Sequence, residues 1–105
     1  MSMHEATHAI AVLDHVGIDT ARQCAFDFFL YFPSEVAAAM VRRELAETGF
    51  HCQVRESTRG EWLCLATARV VPDDSALETV FHLMETMAED FGGTFDGWET
   101  QVRAH

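Results

Sequence analysis

There is no lysine anywhere in the chain: all seven basic residues among the 105 are arginine, set against 17 acidic residues, for a formal net charge of −10. So acidic a protein repels phosphate backbones and anionic membranes, which argues against direct nucleic-acid binding and membrane adsorption. An arginine-rich or otherwise basic polypeptide is the better expected partner. Cysteine is sparse and odd in number, with Cys24, Cys52 and Cys64 in no Cys-x-x-Cys spacing. Neither a disulfide framework nor a zinc ribbon is implied, and reduced cytosolic thiols are the simple reading. No apolar run approaches the length of a membrane span, and no basic segment followed by an apolar core opens the chain. The expectation is a soluble, unprocessed, cytoplasmic protein.

What the chain does have is apolar content, 49% of its residues, enough for one modest core and not for two. A single domain over residues 1–105 is expected, with an N-terminal helix and connection over 1–23 and a core over 24–103. The acidity is uneven. Asp73, Asp74, Glu78, Glu85, Glu89, Asp90, Asp96 and Glu99 follow one another with no arginine between Val70 and Val102. That third of the chain is the surface expected to face a cation.

Near the N-terminus His4-Glu5-Ala6-Thr7-His8 matches the His-Glu-x-x-His pattern, in which two histidines on one helical face hold zinc beside a general-base glutamate. It begins close to a chain end and lacks an obvious third ligand, so it reads as a chance match and no metal is assigned. Ala9, Ile10, Leu13 and Val16 then form the apolar stripe of a short helix capped at Thr7 and ended by Gly17.

Cys24 to Phe32 alternates as a strand, with Phe26, Phe28, Leu30 and Phe32 inward and Asp27, Phe29 and Tyr31 outward. Pro33-Ser34 opens a helix whose buried stripe is Ala37, Val41 and Leu45, helped by Met40, and which Gly49 stops. Phe50 to Glu56 alternates again, with Phe50, Cys52 and Val54 inward. After the turn Ser57-Thr58-Arg59-Gly60, the strand from Glu61 to Ala68 has two leucines, Leu63 and Leu65, on one face and Trp62, Cys64 and Ala66 on the other. Assigning the leucines to the core leaves Trp62 outward. A second helix, capped by either Asp73 or Ser75, carries the stripe Leu77, Val80, Phe81, Met84, Met87, Ala88 and Phe91. Gly92-Gly93 ends it and feeds a closing strand, in which Gly97 is placed to mark a bulge that changes the face of Trp98.

The order is βαββαβ, an α+β arrangement of the ferredoxin-like, split βαβ kind: a four-stranded antiparallel sheet with two helices on one face and an extra N-terminal helix. Right-handed crossovers place the first and third strands in the centre.

The closing segment, with Gly92-Gly93, then Asp96-Gly97-Trp98-Glu99-Thr100 and Val102, resembles the signature of the regulator of ribonuclease E activity B family, small acidic bacterial proteins. Phe32-Pro33, Gly49-Phe50, Glu61-Trp62-Leu63 and Val71-Pro72-Asp73 extend the resemblance in the same order, from Phe26 to Val102. The resemblance implies the same α+β sandwich. It also implies a non-enzymatic protein without cofactors, which binds ribonuclease E in its arginine-rich region and inhibits RNA processing. Gly97, Trp98, Glu99 and Thr100 are its signature positions.

Two surfaces are therefore candidates. The acidic one comprises Glu78, Glu85, Glu89, Asp96 and Glu99, suited to a basic segment. The other is the uncovered sheet face, where Phe29, Tyr31 and Trp62 are expected to meet. That face has four readings: cover by the N-terminal helix, a sheet-to-sheet homodimer, a peptide or small-ligand site, and base stacking as in RNA-recognition domains. The last ranks lowest, because the accompanying basic residues are missing. No catalytic residue is assigned: Asp27, Glu61, Asp96 and Glu99 read as solvated charge, and Cys64 near His51 lacks an oxyanion hole.

Overall fold

The computed structural model describes residues 23–100. The helix expected from Thr7 to Val16, and His4 and His8, lie outside them. The elements run β1 (Cys24–Phe32), α1 (Glu35–Glu47), β2 (His51–Glu56), β3 (Trp62–Val70), α2 (Asp74–Asp90) and β4 (Thr94–Thr100). The sheet order is β2-β3-β1-β4 with every neighbouring pair antiparallel, so β1 and β3 are central as the crossover rule requires. α1 lies over β2 and β3, and α2 over β1 and β4. This is the ferredoxin-like α+β sandwich.

Local chemistry sets the ends of both helices. Ser34 is extended and its Oγ accepts from the Ala37 N–H at 3.1 Å, while Asp73 accepts from the Ala76 N–H at 2.8 Å. Of the two registers open for α2, the one capped by Asp73 forms. Beyond α2 the Gly93 N–H donates to the Ala88 carbonyl at 2.7 Å. A Cβ on Gly93 would stand 2.5 Å from the Phe32 ring and closer still to the Tyr31 carbonyl oxygen. Only glycine lets the turn pass this near to β1.

The core lies between sheet and helices. Phe26, Phe28, Leu30 and Phe32 of β1 are fully buried beneath Val41 and Leu45 of α1 and Leu77, Phe81 and Met84 of α2. Each such side chain contributes about 1.5–3 kcal/mol by leaving water. The β1–β4 pairing carries a bulge: Phe28 faces Trp98 and Leu30 faces Phe95, so Asp96 and Gly97 together stand opposite Phe29. Gly97 takes φ 120°, as such a bulge requires. The extra residue turns both Phe95 and Trp98 inward, where Trp98 packs on Phe26 at 5.6 Å and Phe81 at 6.4 Å between ring centroids.

Two expectations are corrected. The phase of β3 is the reverse of the one the leucines suggested: Cys64 and Ala66 pair with Leu30 and Phe28 in the core, and Leu63 and Leu65 pair with Tyr31 and Phe29 on the other face. Trp62 pairs with Phe32 and packs partly against the core, away from Phe29 and Tyr31. The cause is volume. Opposite the large Leu30 and Phe28 and beneath α1, small Cys and Ala fit where leucines would overfill the layer. In α1 the buried stripe is Ala38, Val41 and Leu45, and Met40 is 50% exposed.

Candidate interaction surfaces

On α2 the apolar residues Leu77, Phe81, Met84 and Ala88 define the face toward the sheet. Helical spacing of 7 and 11 residues then aligns Glu78, Glu85 and Glu89 along one flank of that face. Glu78 and Glu85 are half-buried and Glu89 is exposed. β4 adds exposed Asp96, in the bulge, and exposed Glu99. Glu99 pairs with Asp27, whose side chain is on the sheet face opposite the helices, so it does not share the side of the α2 glutamates. Neither α2 nor β4 contains an arginine.

The sheet face opposite the two helices has an apolar centre made of Phe29 and Tyr31 from β1 with Leu63 and Leu65 from β3. Leu63 is buried and the other three are half-buried. Arg59, in the β2–β3 turn, holds its guanidinium 5.4 Å from the centre of the Tyr31 ring, a cation–π contact of the kind worth about 0.5–1 kcal/mol at an exposed site. His51, Gln53 and Arg55 flank the centre on β2. At its other flank Asp27 and Glu99 stand directly opposite each other, an unfavourable pairing of like charges. Asp27 is held there by the Thr67 hydroxyl, which donates to its Oδ1 at 2.9 Å.

Sequence reasoning missed the leucine half of this face. The signal was the opposition of Phe26 and Phe28 to whichever residues of β3 shared their side. It also missed a groove of about 680 Å³ between α1 and β2, lined by Val36, Met40, Arg42, Phe50 and Cys52 among others. Val36 and Met40 are the most exposed large apolar side chains among the described residues. Among the described residues no group of three or more His, Cys, Asp or Glu side chains is arranged to hold a metal ion, and no helix is long and apolar enough to cross a membrane.

Of the signature positions, Gly97 makes the bulge and Trp98 closes the core, while Thr100 donates from its hydroxyl to the Ala25 carbonyl at 2.7 Å. Glu99 alone points away from the helices. No curated protein matches the chain significantly. One family profile does, described as Regulator of ribonuclease activity B, over residues 4–100. With a match across nearly its whole length, on the fold and signature geometry just described, the chain belongs to the regulator of ribonuclease activity B family.

Proposed function

We propose that this protein is a non-enzymatic, cytoplasmic regulator that binds a ribonuclease of the ribonuclease E type through a basic, arginine-rich segment and inhibits its processing of RNA. Membership of a family of ribonuclease regulators supplies the target class. The observation that carries the mode of binding is the charge of α2 and β4, where Glu78, Glu85, Glu89, Asp96 and Glu99 occur with no arginine in either element. A polybasic chain gains Coulomb attraction along the α2 flank, and the opposed carboxylates of Asp27 and Glu99 suit a bridging guanidinium.

The test is binding to the purified ribonuclease and to its isolated arginine-rich region, together with RNA cleavage in the presence of the regulator. The variant Glu78→Arg, Glu85→Arg, Glu89→Arg is expected to lose binding at least tenfold and to release cleavage, with circular dichroism checking that it remains folded. Binding unchanged by this reversal removes the α2 flank from the interface.

A second reading rests on Phe29, Tyr31, Leu63 and Leu65, which suit a homodimer or an apolar ligand. It predicts association that salt leaves unchanged and that Phe29→Ser abolishes, measured by light scattering across protein concentrations.

A further inference from the structure

The three cysteines occupy different environments. Cys24 begins β1 opposite Val70, whereas Cys64 lies six residues further along the same ladder, opposite Leu30. Cys52 and Cys64 are neighbours. On the β2–β3 ladder Cys52 stands opposite Ala66 and Cys64 opposite Val54, which makes the two thiols a diagonal pair on the helix-covered face. The two side chains are in hydrogen-bonding contact.

Access divides them further. Cys64 is fully buried. Cys52 is partly buried on an edge strand of the described sheet and lines the open groove between α1 and β2, alongside Arg42, Arg43 and His51. A small solute entering the groove meets Cys52 before Cys64, beside the positive charge of Arg42.

We propose that Cys52 and Cys64 form a peroxide-sensitive dithiol, in which Cys52 is the attacked sulfur and Cys64 resolves it into an intrachain disulfide. The Cys52 thiolate attacks one oxygen of hydrogen peroxide. An S–O bond forms, the O–O bond breaks, and the departing hydroxide takes up a proton to become water. The Cys64 sulfur then attacks the sulfenic sulfur of Cys52. An S–S bond forms, the S–O bond breaks, and the leaving hydroxide combines with the Cys64 proton as a second water. Two thiols lose two electrons and two protons, and peroxide is reduced to two waters.

The hydrogen bond fits these roles. It lowers the pKa of Cys52, with a smaller contribution from the Arg42 guanidinium and against the opposing effect of burial. The same bond and burial push the Cys64 thiol up, so Cys52 is the more readily ionised of the two. Oxidation of Cys52 changes that contact, and with it the main reason for Cys64 to keep its proton.

The bridge also has a structural cost. Diagonal residues of an antiparallel pair are about 7–8 Å apart at Cα, and disulfides span up to about 6.8 Å, so β2 must move toward β3 by on the order of 1 Å. Among the described residues β2 is paired on one side only, which permits the shift. A bond made under such strain is readily reduced again, and its formation reshapes the wall of the α1–β2 groove.

The experiment uses the full chain, reduced, then exposed to hydrogen peroxide near neutral pH, with thiols counted and peptides mapped by mass spectrometry. A Cys52–Cys64 linkage reversed by dithiothreitol is expected, with Cys52 consumed about tenfold faster than Cys24 in the same molecules. Cys64→Ala should accumulate a Cys52 sulfenic acid that dimedone traps, and Cys52→Ser should leave Cys64 unreacted. Linkage through Cys24, linkage between chains, or Cys52 consumption no faster than Cys24 would overturn the proposal. The Cys24 comparison is internal to the wild-type protein, so it remains decisive even where a variant fails to fold.

Discussion

At the scale of single residues, what the family signature encodes is largely construction. Gly97 gives the bulge, and the bulge makes Trp98 face Phe26 and Phe81 instead of solvent. Gly93 has an equally physical reason, because the Tyr31 carbonyl and the Phe32 ring occupy the space where a Cβ would stand. Backbone cannot yield there as the tip of a flexible side chain would. Gly93→Ala is therefore expected to destabilise the fold by about 1–3 kcal/mol, the usual effect of overfilling a packed site. Urea unfolding monitored by Trp fluorescence measures it. A midpoint equal to wild type would mean that the α2–β4 turn has room to stand away from β1.

At the scale of elements, helices were legible where the sequence carries both a stripe and a stop. α2 has its apolar face, its glycine pair and a capping residue, and only the choice between Asp73 and Ser75 stayed open from the sequence. The structure gives the hydrogen bond to Asp73, so Asp73→Ala should cost about 1 kcal/mol while Ser75→Ala costs little, read as shifts in thermal or chemical denaturation. Strand β3 shows where such reading fails. Its alternation was plain, but alternation fixes two faces without saying which is inward. Hydrophobicity favoured Leu63 and Leu65, whereas packing against Leu30 and Phe28 favoured Cys64 and Ala66. The partner strand decides, and that information is non-local. The same inversion moved Trp62 away from the face of Phe29 and Tyr31, and it set Cys64 beside Cys52 on the core side.

At the scale of the whole molecule, the fold separates its charges by element. Among the described residues the arginines are Arg42, Arg43, Arg55, Arg59 and Arg69, on α1, β2, β3 and the turn joining those strands. The opposite edge, made by β4 and its covering helix α2, carries Asp and Glu and, among the described residues, no arginine. A basic segment diffusing toward such a molecule is attracted over distances set by salt, about 10 Å at 0.1 M and 3 Å at 1 M. Attraction of this kind acts first on the encounter rate and only later on dissociation. The association rate constant for an arginine-rich peptide is therefore expected to fall by about tenfold or more across that salt range, with the dissociation rate changing less. Stopped-flow fluorescence at several salt concentrations separates the two. Substituting Arg42 and Arg43 by Gln should leave the salt slope unaltered, because those residues belong to the other end of the sheet, whereas reversing Glu78, Glu85 and Glu89 should flatten it. A flat salt dependence in the wild-type protein would take the leading role from the acidic edge and give it to the apolar face of Phe29, Tyr31, Leu63 and Leu65.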